Sequence, residues 1–134
     1  MDLDGAPDAW TVSADLVRML NGRALVAHAA WVEVAFLKRL LRLHNTRLHV
    51  PVIDTAALAR ALELAPRVSS REPHLETLAQ SLGLPVHDPH HALGDALTTA
   101  QVFLVLVSRL ERQFGEMTVG TLVDLSRRYA LLLP

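Results

Sequence analysis

The chain has 134 residues, thirteen Lys and Arg against fourteen Asp and Glu, seven His and no Cys. That length suits one domain with a real core and is short for two. With no Cys there is no disulfide, no thiolate metal site and no Cys nucleophile, and a formal charge of −1 excludes binding to a polyanion through overall charge.

No unbroken apolar run approaches the roughly 20 residues of a membrane span. The N-terminal stretch from Met1 to Ala9 is acidic and lacks the basic-then-apolar pattern of a secretion signal. A soluble, cytoplasmic protein with no membrane partner is the expectation.

Residues 1–12 read as a loop containing Gly5 and Pro7. Ser13 is the expected N-cap of a short helix carrying Leu16, Val17, Met19 and Leu20, closed by Asn21-Gly22. Ala24 to Ala27 is a short apolar run after a turn, which suggests a buried parallel strand. From Trp31 to about Leu43, Phe36, Leu37, Leu40 and Leu41 fall at helical spacing. Leu48 to Ile53 is rich in β-branched residues and reads as a second strand. Asp54-Thr55 opens a helix through Leu58, Leu62 and Leu64, ending before Pro66.

After a polar loop over 68–73, Leu75, Leu78, Ala79 and Leu82 make a short helix that stops at Gly83. A long helix follows from about Ala92 to Arg112, with Leu93, Ala96, Ala100, Phe103, Leu104, Val107 and Leu110 expected on its core side. Residues 118–132 read as a last helix with an apolar tail. Strands alternating with helices argue for an α/β fold, and no linker divides the chain. Two strands alone make a marginal sheet, so either the remaining helices cover it well or strands that once paired with it are absent.

Basic residues bunch at Lys38, Arg39, Arg42 and Arg47, with His44 and His49 among them. They are either the solvated, cation-favouring end of a helix or a substrate-binding patch. Glu33 and Asp95 break apolar helical patterns. Each is either an acid favoured by a helix N-terminus or a metal ligand. His90 precedes Asp95 by five residues, on the loop entering the long helix.

The run Leu25-Val26-Ala27-His28-Ala29-Ala30-Trp31-Val32-Glu33-Val34-Ala35-Phe36-Leu37 resembles the second motif of the DEDDh-type 3′→5′ exonucleases. This is the DnaQ-like family that includes proofreading epsilon subunits of bacterial replicative polymerase. Val52-Ile53-Asp54-Thr55 looks like the next strand and helix start. His90-His91-Ala92-Leu93-Gly94-Asp95-Ala96 is similar to the third motif, His-x-Ala-x-x-Asp-Ala. The resemblance runs in order over about residues 14–112, with 117–134 as a helical tail to a single partial domain over 1–134.

The resemblance implies a ribonuclease-H-like α/β fold, here lacking the first three strands. It also implies two-metal hydrolysis of the terminal phosphodiester at a single-stranded 3′ end of DNA or RNA, releasing nucleoside 5′-monophosphates. Four carboxylates would hold two Mg²⁺ or Mn²⁺ ions about 3.5–4 Å apart. Asp95 would be a metal ligand, Glu33 would stand where the second motif has Asp, and His90 would deprotonate the attacking water. His91 falls on a variable position, and Asp54 is expected to cap its helix.

Ala29 departs from the usual Asn. The family's first motif, Asp-x-Glu on a strand, has no counterpart before Ser13; Asp2-Leu3-Asp4-Gly5 reads as a cluster of loop acids. The expectation is therefore a chain inactive by itself. The alternative is a non-catalytic module that binds nucleic acid or a polymerase-type partner. An unpartnered sheet edge further suggests self-association, with the segment around Tyr129–Leu133 covering part of that edge.

Overall fold

The computed structural model describes residues 8–134. Six helices surround a two-stranded parallel sheet: α1 (Ala9–Leu20), β1 (Leu25–Ala27), α2 (Ala30–Leu41) with a 3₁₀ turn (Arg42–His44), β2 (Val52–Asp54), α3 (Thr55–Ala61), α4 (Leu75–Ser81), α5 (Ala92–Phe114) and α6 (Val119–Arg128). The strands pair Leu25 with Val52, Val26 with Ile53 and Ala27 with Asp54. This is a helix-rich α/β arrangement, and β1 meets no second strand among the described residues.

The first helix starts earlier than Ser13. Asp8 is its N-cap, accepting from the Thr11 amide at 2.8 Å, while Ser13 is buried and donates its hydroxyl to the Trp10 carbonyl. A hydroxyl satisfied inside its own helix no longer needs solvent, so Ser13 can pack inward. Asp2 and Asp4 lie outside the described residues. The second strand is also shorter than the Leu48–Ile53 reading: Leu48 to Pro51 is an approach loop.

α3 is the hub. Every residue from Thr55 to Arg60 is buried, because the helix lies between the sheet, α5 and α6. Small side chains at Ala56, Ala57 and Ala59 permit that enclosure. Ile53, Leu58, Leu78, Val102, Leu106, Leu110 and Leu122 form the core around it. α4 ends in a paired-carbonyl turn: the Gly83 amide donates to Gln80 and the Leu84 amide to Ala79, with Gly83 at φ +74°.

α5, at 23 residues, has the length and apolarity of a membrane span. Yet one face of it is the centre of this core. That face runs Gly94, Thr98, Thr99, Val102, Leu106 and Leu110; of the expected core positions Leu110 lies in it, Phe103 and Val107 pack at its margin, and the rest face away. Leu93, Leu97 and Leu104 are 79%, 46% and 66% exposed, and Ala96 and Ala100 are exposed with them.

The C-terminal tail covers the other side of the sheet from the one expected. The Ser126 hydroxyl accepts from the Asp54 amide at 2.9 Å, so α6 closes the outer edge of β2. Beyond it, Leu132 bridges to Val68.

Candidate active site

Open parallel sheets place ligands beyond the carboxyl ends of their strands. Here those ends are Ala27-His28-Ala29 and Asp54-Thr55. Asp54 ties them together: one carboxylate oxygen accepts from the Ala29 amide at 3.0 Å and from the Ala56 amide at 2.9 Å. It thereby caps α3 and fixes the turn into α2, as a structural acid. Ala29 itself sits in the left-handed region at φ 57°, a conformation asparagine tolerates better than alanine. His28 is locked beside it, with Nε2 donating to the Pro73 carbonyl at 2.6 Å and Nδ1 2.9 Å from the Thr55 hydroxyl.

Burial raises the Asp54 carboxyl above its ordinary value, against the opposing pull of the backbone amides. A carboxyl whose folded-state pKa is raised binds its proton more tightly when folded. Its contribution to stability is therefore largest below the ordinary Asp value and declines as pH rises through the folded value. Asp54→Asn keeps an accepting oxygen and removes the buried charge. Wild type is expected to lose stability relative to Asp54→Asn as pH rises from about 4 upward. Urea unfolding of both proteins between pH 4 and 7 checks this; a difference independent of pH would refute it.

The residues singled out in the sequence lie at helix starts. Glu33 is exposed in the first turn of α2. Asp95 is half-buried in the first turn of α5, where one oxygen accepts from the His90 amide at 3.2 Å. His90 is at φ +65° with its side chain 90% exposed, and its Nε2 lies 3.4 Å from a Glu76 carboxylate oxygen. His91 is exposed at the N-cap without a side-chain capping bond.

The structure thus joins His90 to Asp95 directly. Among the described residues, no three His, Asp or Glu side chains gather as a metal site would require. Glu33 and Asp95 stand on separate helices, α2 and α5, and the donor set among the described residues does not fit two bridged ions.

Gly94 explains how this corner is held. A Cβ there would stand 2.3 Å from the His87 carbonyl oxygen and 2.7 Å from that of Asp88. The first turn of α5 therefore packs backbone against backbone on the loop that carries His90. Thr98 completes the contact, accepting from the His87 amide at 3.1 Å.

A second polar network was not foreseen. Arg60, inside α3, has a fully buried side chain; Nη1 donates to Glu72 at 2.8 Å and Nε to the Tyr129 carbonyl at 2.6 Å. Glu72 also accepts from the Trp31 indole at 3.2 Å. The only advance sign of it was an arginine in an otherwise alanine-rich helix.

These features converge on a family. The model of the exonuclease family matches residues 1–103. The chain is 33% identical over 110 residues to the DNA polymerase III subunit epsilon of Treponema pallidum, covering 81% of this chain and 50% of that protein. It is 31% identical over 130 residues to a DNA polymerase III subunit epsilon-like protein of Rhodobacter capsulatus, covering 96% and 18%. A PolC-type DNA polymerase III of Clostridium perfringens is 28% identical over 120 residues, covering 90% and 8%. No solved structure matches significantly.

The chain belongs to the exonuclease family, of the DnaQ-like kind. It spans half the length, or less, of these curated relatives.

Proposed function

We propose that this chain is a 3′→5′ exonuclease-type domain that handles the 3′ end of single-stranded nucleic acid, with its reactive corner at the N-terminal ends of α2 and α5. The observation that carries the reading is the hydrogen bond between the His90 amide and Asp95, which sets a candidate general base beside a candidate metal ligand. His90 would accept the proton of an attacking water, a role suited to an exposed imidazole on a turn. Asp95 and Glu33 are the carboxylates available to Mg²⁺ or Mn²⁺, the ions that stabilise the attacking and leaving oxygens in two-metal hydrolysis. The described residues do not supply the four carboxylates of such a site, so no catalytic step is assigned through it.

The same reading makes the two strands part of a larger ribonuclease-H-like sheet, with further strands beside β1. The exposed Leu93, Leu97 and Leu104 on α5 support it, as an apolar surface suited to that cover. A polymerase-type partner, self-association through this face and a cytoplasmic location belong to the same proposal.

As the 134-residue chain, the protein should not turn over. A 5′-labelled single-stranded oligonucleotide incubated with the purified chain and Mg²⁺ or Mn²⁺ is expected to stay intact. Sustained release of mononucleotides, abolished by EDTA and by His90→Ala, would overturn the inactivity while supporting the assigned base. The second reading, a binding module without catalysis, is favoured by the basic cavity at the other end of α2.

A further inference from the structure

At the opposite end of α2 from Glu33, the chain makes a cavity of about 490 Å³ lined by Lys38, Arg42, Asn45, Thr46, Arg47 and His49, with Leu48. Arg42 lies nine residues beyond Glu33, about 13 Å along the helix axis. We propose that this cavity is a phosphate-binding groove for the nucleic-acid backbone, separate from the reactive corner. The inference rests on the nucleic-acid reading above.

Three observations carry it. First, the lining holds two arginines, a lysine and a histidine and no carboxylate, in a chain whose formal charge is −1. Lys38, Arg42 and Arg47 are exposed, and among the described residues none of them takes part in an ion pair. Like charges held together without acids repel one another, and a polyanion relieves that repulsion.

Second, helix-end electrostatics accounts for only half the cluster. Lys38 and Arg42 suit the negative end of α2, but Arg47 and His49 lie beyond it. They are brought back by a turn in which the Asn45 amide donates to Arg42 and the Thr46 amide to Leu41, with Asn45 left-handed at φ 49°. Two separate segments thus converge on one cavity.

Third, the chemistry favours phosphodiesters over an acidic peptide. Arginine forks match phosphate oxygens in pairs. On the α1 side of the same turn, the exposed Trp10 indole packs at a tilt of 36° on His44, with ring centres 4.0 Å apart. Basic side chains beside an exposed aromatic face suit a single strand, whose bases can stack where its phosphates are held.

The test is binding of fluorescein-labelled dT12 to the whole chain by anisotropy, in EDTA, between 50 and 200 mM NaCl. The triple variant Lys38→Gln/Arg42→Gln/Arg47→Gln should bind at least about tenfold more weakly at the lowest salt. It should also flatten the log–log salt dependence by about 2, the share of three phosphates on a single strand. Arg112→Gln, at an exposed arginine in the last turn of α5, should change neither quantity.

Arg47→Glu, a single change in an exposed loop, should weaken binding in the same direction and guards against misfolding of the triple variant. Unchanged affinity and slope in these variants would overturn the proposal. So would binding of polyglutamate that is sensitive to the triple variant when dT12 is not bound; that outcome would assign the groove to an acidic protein segment. Because metal is chelated throughout, release of mononucleotides or its absence bears on the reactive corner alone.

Discussion

Arg60→Ala is expected to destabilise the chain by about 3–5 kcal/mol, the usual cost of removing one partner from a buried ion pair. On a domain whose total stability is of order 5–15 kcal/mol, that is enough to unfold it near physiological temperature. The guanidinium has no exposed side-chain surface, and Glu72 keeps only 12% of its own, so solvent screens the pair little. Removing Arg60 strands the Glu72 charge beside Trp31 and releases the Tyr129 carbonyl that anchors the end of α6. One lost residue thereby loosens α2, α3, α6 and the loop over 68–73 together.

The cost comes from an orphaned charge and not from the shape of arginine. Arg60→Met/Glu72→Leu removes both charges and fills the volume, so it should recover most of the loss. Urea unfolding at pH 7 measures all three proteins. A cost under about 1 kcal/mol for Arg60→Ala would mean that water enters and hydrates Glu72, and the hub role of Arg60 would then be wrong. Nη2 of Arg60 has no hydrogen-bond partner, so the network already carries one unsatisfied donor.

How far the sequence discloses this arrangement depends on the range of each interaction. The runs at Leu25–Ala27 and Val52–Ile53 are short, apolar and followed by helix starts, so strands and order are legible from local pattern. Asp54 as a cap is legible for the same reason: its partner at Ala56 is two residues away. The face of α5 is legible only towards its C-terminal half, at Phe103, Val107 and Leu110, because Leu, Val and Ala occur all around that helix. A count of large apolar residues favours Leu93 and Leu104. Packing favours Gly94, Thr98 and Thr99, which bring the helix close to its neighbours, with the Thr98 hydroxyl satisfied by the Gly94 carbonyl at 3.0 Å.

The same bias misplaces the start of α1, where a buried hydroxyl at Ser13 looks like a cap. Arg60 and Glu72 are twelve residues apart in sequence, and their third member, the Tyr129 carbonyl, lies sixty-nine from Arg60. Nothing periodic marks such a network. In the proposed reactive corner, the spacing of His90 and Asp95 already suggests a loop-to-helix contact. What remained hidden was that the contact runs through the His90 amide, leaving the ring to solvent.

Gly94→Ala should be the most damaging Gly→Ala change among the described glycines. Overpacking usually costs about 1–3 kcal/mol and occasionally more, and here the upper end is expected. The new Cβ would meet two backbone carbonyl oxygens and the Asp88 Cβ, all closer than 3.0 Å. No side-chain rotation relieves a clash with main chain. Either α5 moves off the loop, which opens the core at Thr98 and Val102, or the loop moves off α5. The second path is easier, since Asp88 and His90 are already in the left-handed region at φ 32° and 65°. It breaks the His87 amide bond to Thr98 and the His90 amide bond to Asp95. Lost stability should therefore be accompanied by faster amide hydrogen exchange at His87 and His90, with exchange in α3 slowed or hastened only as global stability dictates. Leu93→Ala, one residue away on the exposed face, serves as the control and should change stability by less than about 0.5 kcal/mol. If Gly94→Ala behaved like Leu93→Ala, the backbone contact between α5 and the His90 loop would not exist as described, and with it would go the reason for setting His90 beside Asp95.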